Sequence, residues 1–442
     1  MISRRKSWIS VFFAMGLFLA FLSPLVGAQE ETPSVLGMKD RAEVFDGWLR
    51  MRLDNMLPEI MRRENIDMWI VICREYNEDP VYLTLVPSTS MSARRLSMLV
   101  FYDKGKEGVE RVTVSRYGIS DLYKSVWEPE KIDQWKRLAE VIKDRKPKKI
   151  GIDDSNTFAF GDGLSASHKA KLIEALGPEY AKRLVSAERI AVGWLERRTP
   201  QELEVYPHIV AIAHKIIADA FSRNVITPGV TTADDVVWWM RERIAELKLG
   251  TWFQPSISIQ RPKTGEMKGS RVIHRGDLLH CDMGITYLGL NTDTQEHAYV
   301  LRQEEDDAPK GVRDALAQGN RLQDIFLGEF KELRTGNEIL AAALKKAKDE
   351  GLKPSIYTHP LGFHGHAAGP TIGLWDKQGG VPGEGDYPLF YDTCFSIELN
   401  VKAAVPEWDN QDVQIALEED ALFTRAGIFF IDGRQTKFFL IK

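Results

Sequence analysis

The chain has 442 residues, 44% of them hydrophobic and 27% charged, with a formal net charge of −5. That length predicts two or three domains with real cores, and the scattered lysines and arginines form no basic stripe of the kind that binds nucleic acid. Three cysteines, Cys73, Cys281 and Cys394, are too few for a disulfide framework, and none is expected to pair.

At the N-terminus, Arg4-Arg5-Lys6 precedes an apolar run from Trp8 to Val26, and Val26-Gly27-Ala28 supplies the small residues a signal peptidase reads. Residues 1–28 are therefore expected to be a signal peptide, giving a secreted or periplasmic protein without stable membrane association after cleavage. A retained anchor is the alternative, since the run is nearly long enough to span a bilayer. Pro24 and the Val-Gly-Ala tail argue against it.

Glu43 to Asn65 has helical periodicity and leads into Asp67 to Cys73, a continuous apolar run typical of a buried strand. Arg95 to Tyr102, Val109 to Ser115 and Lys149 to Asp153 read as strands, with helices over Val126 to Asp144 and Ala166 to Leu176. This alternation predicts a small α/β domain over residues 29–194 that carries no cluster of metal ligands.

From Leu195 the character changes. Thr199 reads as an N-cap and Pro200 as the first residue of a long helix, reaching about Arg223. Ala233 to Leu249, Asp314 to Leu333 and Gly336 to Gly351 follow as helices, and Thr393 to Val401 and Val413 to Thr424 as strands. Residues 195–442 are thus expected to form an α+β domain.

Asp282, Asp293, His366, Glu398 and Glu418 fall in an order and spacing able to hold two divalent ions over one water, which points to a hydrolase. A tight hairpin closing at Tyr287-Leu288 would set Asp282 opposite Asp293, with Cβ atoms roughly 5 Å apart. Side chains alternate across a strand, so Phe395, Ile397, Leu399 and Val401 share the core face and leave Glu398 on the other. The same phase, with Val413, Ile415 and Leu417 inward, selects Glu418 over Glu419. His359, His364 and His366 fall within eight residues of a chain that has nine histidines, which shifts them toward function. Carboxylate oxygens with one imidazole suit Mn²⁺, Zn²⁺, Co²⁺ or Fe²⁺.

These residues resemble the pita-bread metallopeptidases, the group of methionine aminopeptidase, prolidase, Xaa-Pro aminopeptidase and the metal-free creatinase. Gly276-Asp277 through Asp282-Met-Gly284 is similar to that family's Gly-Asp-x-x-x-x-Asp-x-Gly stretch, and Phe395-Ser-Ile-Glu398 to its Phe-Thr-Ile-Glu. The resemblance implies a pita-bread catalytic domain preceded by a smaller creatinase-like α/β domain. It implies Asp282 on one metal, Asp293 and Glu418 bridging, and His366 and Glu398 completing the shell of two divalent ions, manganese foremost. It also implies Glu398 as proton shuttle, His359 and His364 as flanking catalytic imidazoles, a peptide substrate cut at its N-terminus after the pattern of an Xaa-Pro aminopeptidase or dipeptidase, and a homodimer.

The sequence departs from the family in four places. Thr264 and Gly265 stand eighteen and seventeen residues before Asp282, where a histidine is usual, with Gln260 as a stand-in. Gly373 occupies the position seven residues after His366, where a second histidine is usual. Glu296-His297 and Leu399 replace the Thr-Arg and Pro of the proline-directed branch. Two other functions therefore stay open: hydrolysis of a non-peptide amide or amidino compound, and a catalytically silent metal-binding protein.

Overall fold

The computed structural model describes residues 34–267 and 271–442, so the expected signal peptide lies outside the described residues. Among the described residues, no helix is long and apolar enough to cross a membrane.

Helix α1 (Met38–Met51) passes through a π-helical turn, Arg52–Met56, into α2 (Leu57–Arg63), so the expected helix is one run that begins before Glu43. A mixed six-stranded sheet follows, ordered β4-β3-β2-β1-β5-β6. Its strands are β1 (Met68–Cys73), β2 (Ser97–Asp103), β3 (Val109–Thr113), β4 (Lys124–Ser125), β5 (Ile150–Ile152) and β6 (Leu184–Ser186). The connections carry α3 (Tyr82–Leu85), α4 (Gln134–Arg145) and α5 (Ala166–Ala181), and α6 (Glu188–Glu196) leaves the sheet. Every residue of β1 is buried because both faces are covered. Met68, Ile70 and Ile72 face α4 and α5. Trp69, Val71 and Cys73 face α1, α2 and α6. Helix α4 starts at Gln134 rather than Val126, because the Asp133 carboxylate accepts from the main-chain N–H of Trp135 and Lys136 and fixes the first turn there.

The second half is built on helices α7 (Pro200–Ala220), α8 (Ala233–Glu246), α9 (Lys310–Leu327) and α10 (Gly336–Asp349). Thr199 and Glu202 close a reciprocal capping box at the start of α7, at the place the Thr-Pro signal predicts. The ten-stranded sheet runs β13 (Pro354–Ile356), β15 (Thr393–Val405), β16 (Gln411–Thr424), β12 (Thr294–Val300), β9 (Leu278–Met283), β7 (Ser256–Arg261), β8 (Gly265–Met267). Off this path, β14 (His359–Leu361) pairs with β15, β17 (Gly427–Phe430) with β16, and β18 (Phe439–Ile441) with β12. Helices α9 and α10 lie on Ile397, Leu399, Ile415 and Leu417. Helices α7 and α8 lie on Leu279, Cys281, Met283, Ala298 and Val300. Both helix pairs therefore back one face of the sheet, and alternate side chains on the same strands line the other.

Between β9 and β12, a short ribbon of β10 (Thr286–Tyr287) and β11 (Leu290–Asn291) closes through Leu288 and Gly289, both left-handed, with φ of 55° and 76°. That is the two-residue turn whose twist suits a hairpin. The turn is one residue later than expected from sequence, and its register pairs Asp282 with Gln295. Asp293 sits two residues before Gln295, so the two aspartates are diagonal neighbours on one face rather than directly opposite, still within reach of a shared ion.

A buried ion group ties the N-terminal helices to α7. Arg52 Nη1 donates to Glu202 Oε1 and Oε2 at 3.1 and 2.9 Å and to the carbonyl of Arg197 at 2.8 Å. Arg198 stands 3.5 Å from the same carboxylate, and both guanidinium groups lie over the Phe363 ring. Arg52 and Glu202 are both inaccessible to solvent, so removing one partner strands the other charge. Arg52→Ala is expected to cost about 3–5 kcal/mol in urea denaturation. A loss under about 1 kcal/mol, the range of an exposed pair, would show that Arg198 alone satisfies Glu202.

Candidate metal centre

The open face of the ten-stranded sheet carries one row of facing side chains. Asp282 on β9 faces Gln295 on β12, Gln295 faces Glu418 on β16, and Glu418 faces Glu398 on β15. Three carboxylates on four adjacent strands repel one another, so something else must hold them in place. Strand β14 adds His359, opposite Ser396 on β15. His359 Nε2 lies 3.4 Å from Asp293 Oδ2 and 3.6 Å from Glu418 Oε1.

The ligand atoms form three overlapping groups: Asp282, Asp293 and Glu418; Asp293, His359 and His366; and His359, Glu398 and Glu418. Within each group they lie within 4.8 Å of one another. Burial and the neighbouring Glu418 charge hold the carboxyls of Asp282, Asp293 and Glu398 well above the usual carboxylate range. Asp282 Oδ1, Asp293 Oδ1 and His359 Nε2 are buried without a hydrogen-bond partner among the described residues. Orphaned oxygens and an orphaned imidazole nitrogen converging on one space fit a divalent cation, which would satisfy all of them and remove the repulsion.

All five ligands expected from sequence come together, but the histidines differ in position from the expectation. His359, expected as a flanking imidazole, belongs to two of the three groups and is buried, whereas His366, expected as the ligand, belongs to one and is exposed. His-x-x-Gly occurs twice, at His359-Pro-Leu-Gly362 and at His366-Ala-Ala-Gly369. Taking the first as the ligand motif puts His366 seven residues later, the spacing that Gly373 fails to fill. His364 lies in none of the three groups. Its ring lies tilted 4.4 Å from that of Phe160, and burial together with the Arg198 charge pushes it down to about 4. Gln260 does not replace the upstream imidazole either: its amide bonds the main chain of Gln414 in both directions, at 2.7 and 2.8 Å, and Ser256 is the residue opposite Asp282.

Glu419, one residue from Glu418, faces the helices and meets His214 of α7 at 3.1 Å. The strand phase that selected Glu418 thus separates the two acids correctly. Residues not singled out from the sequence complete the site. Ser396 Oγ donates to Glu418 Oε1 at 2.6 Å, and the main-chain N–H of Asp293 donates to Asp420 Oδ1 at 3.1 Å. The Trp252 ring meets that of His366 at 5.0 Å, and its Nε1 donates to the Thr292 carbonyl at 3.0 Å. A Cβ on Gly365 would lie 2.1 Å from the indole and one on Gly284 2.6 Å from its Nε1, so Trp252 is wedged between the Asp hairpin and the His segment. Asn291 Nδ2 joins the same two segments by donating to the Gly362 carbonyl at 3.0 Å. The signal for Ser396 was its place two residues before Glu398, in the same strand phase.

Residues 208–425 match the model of metallopeptidase family M24. No curated protein matches the chain in sequence. The X-Pro aminopeptidase from Thermotoga maritima MSB8 is similar in structure, with 16% identity and a TM-score of 0.61, covering 86% of this chain and 99% of that one. The dipeptidase from Pyrococcus horikoshii OT3 has 16% identity and a TM-score of 0.59, over 89% and 100%. The Xaa-Pro dipeptidase from Bacillus anthracis has 16% identity and a TM-score of 0.56, over 91% and 99%. At this identity the likeness establishes the fold, which is the pita-bread fold. Residues 208–425, the stretch similar to metallopeptidase family M24, carry every side chain of the cluster.

At the edge of the His segment, Glu196 is buried, accepts from the Tyr387 hydroxyl at 3.0 Å, and would lie 3.0 Å from a Cβ on Gly369. Burial pushes its carboxyl up to about 8. Below the unfolded value near 4.3 both states hold the proton and there is no penalty. From there up to about 8 the unfolded chain releases the proton and the folded chain retains it, so stability falls as pH rises through this window. Glu196→Gln is therefore expected to match the parent in thermal melts at pH 4 and to exceed it by up to about 5 kcal/mol at pH 8. Parallel melting curves at both pH values would overturn this.

Proposed function

We propose that the protein is an exported dinuclear-metal peptidase that hydrolyses an N-terminal peptide bond, of the Xaa-Pro aminopeptidase or dipeptidase type. The observation that carries the reading is the row of acids on the open sheet face with His359 at its centre, within a metallopeptidase-family stretch. The names of the similar structures support the proline-second substrate, the N-terminal residues 1–28 support export, and the family resemblance supports a homodimer.

In this reading Asp282, Asp293, His359, Glu398 and Glu418 hold two divalent ions. Manganese comes first, because the ligand set is four hard carboxylates to one imidazole. When bound, such ions lower the pKa of a water toward neutrality and polarise the scissile carbonyl. Glu398 takes the proton of the attacking water and delivers it to the leaving amine. His366 stands at the exposed edge, its Nε2 3.5 Å from the Tyr357 hydroxyl, and donates to the oxygen of the tetrahedral adduct. Ser396 and Asp420 hold Glu418 and Asp293 in register. A non-peptide amide or amidino substrate is the second reading, favoured by the engagement of Gln260 with the main chain of β16 away from the centre.

The test is release of the N-terminal residue from a peptide with proline second, with Mn²⁺ added. Glu398→Ala is expected to lower kcat by about 10²–10⁴-fold. By elemental analysis His359→Ala loses bound metal, whereas His366→Ala keeps it and loses about 10²–10³-fold in kcat. Metal lost on changing His366 and kept on changing His359 would reverse the assignment. A chain that binds two ions but cleaves no peptide would overturn the peptidase reading and leave the silent metal-binding protein.

A further inference from the structure

The row of facing residues contains one member that is neither acid nor imidazole. Gln295 stands between Asp282 and Glu418 and is only 5% exposed. Its Nε2 donates to Glu418 Oε2 at 2.6 Å and to Glu398 Oε1 at 3.0 Å. An amide nitrogen carries two hydrogens, so each carboxylate receives one. As ionised metal ligands the two carboxylates can only accept, which sets the amide with its nitrogen toward the acids and its oxygen away. That oxygen lies 2.9 Å from His280 Nε2. Because Oε1 only accepts, His280 must carry its hydrogen on Nε2, and its Nδ1 is left toward Ser258 Oγ at 3.5 Å. Ser258, His280, Gln295 and the two glutamates are thus linked in one direction, from β7 through β9 and β12 to β16 and β15.

We propose that Gln295, aimed by His280, is a positioning residue that determines which oxygens of Glu398 and Glu418 are presented to the metal ions. The inference rests on the dinuclear reading and extends it. With Glu398 Oε1 and Glu418 Oε2 engaged by the amide, Glu398 Oε2 and Glu418 Oε1 are the oxygens left to a metal, and Glu418 Oε1, which also accepts from Ser396 Oγ, lies 3.6 Å from His359 Nε2. The amide also bridges the two facing glutamates without adding charge. Partners that orient ligands in this way affect metal affinity about 10–100-fold when removed.

The readout is binding of Mn²⁺ to the metal-free full-length chain by calorimetric titration, with bound ions counted by elemental analysis. Gln295→Leu is expected to weaken the more loosely held ion by about 10–100-fold. His280→Phe, which leaves the amide in place but removes its orienting donor, is expected to weaken it in the same direction. His280→Gln places an amide donor where Nε2 stands and is expected to restore affinity, an outcome that general loss of packing does not produce. If Gln295→Leu fails to fold, the His280 pair decides alone. Wild-type affinity and stoichiometry in both His280→Phe and Gln295→Leu would overturn the positioning role while leaving the dinuclear reading intact. A parent chain that binds no Mn²⁺ would overturn both.

Discussion

The structure is organised around a like-charge problem: four carboxylates, Asp282, Asp293, Glu398 and Glu418, are buried on one face of one sheet. Each would cost several kcal/mol to bury ionised and alone. The rest of the second half keeps them there. Helices α7 to α10 cover the opposite face with apolar contacts that fix the strand register. Register in turn determines which acids converge, since a slip of one residue would send Glu418 to the helices and bring Glu419 to the open face.

The segments that bring His359 and Asp293 to this face are irregular, and they are held by neighbours rather than by the sheet ladder. Trp252 fills the space that side chains on Gly284 and Gly365 would need. Phe363 lies under both Arg52 and Arg198, whose shared partner Glu202 also caps α7. The N-terminal helices therefore act on the His segment through a buried ion group, and the first half of the chain supports a centre to which it contributes no ligand among the described residues.

What was legible in the sequence follows from periodicity. Alternation in Thr393 to Val401 and Val413 to Thr424 placed Glu398 and Glu418 on one face without any coordinates, and the Thr-Pro cap located α7. What was not legible depends on tertiary context. His-x-x-Gly occurs twice within eleven residues and both histidines reach the cluster, but only the pairing of His359–Leu361 with β15 shows which of them is buried among the acids. The hairpin was misread by one residue because Leu288 and Gly289 are both left-handed, and a left-handed leucine has no composition signal. Gln295 was missed for a similar reason: a neutral amide does not read as a metal-site residue until its partners are known.

The tandem acids of β16 show why one face calls for a cation from outside and the other does not. On the helix side, Glu419 meets His214, whose imidazole is raised to about 11 by Asp432 and Glu419 against its burial and is therefore protonated at neutral pH. The chain supplies its own counter-charge there. On the open side, His359 is the one buried imidazole among four carboxylates, and as a metal ligand it must be neutral. Burial holds the Asp420 carboxyl well above the usual range, as it does those of Asp282, Asp293 and Glu398. Acids held protonated by burial and mutual repulsion become good ligands once a cation displaces their protons, so the open face, unlike the helix side, suits a cation from outside the chain.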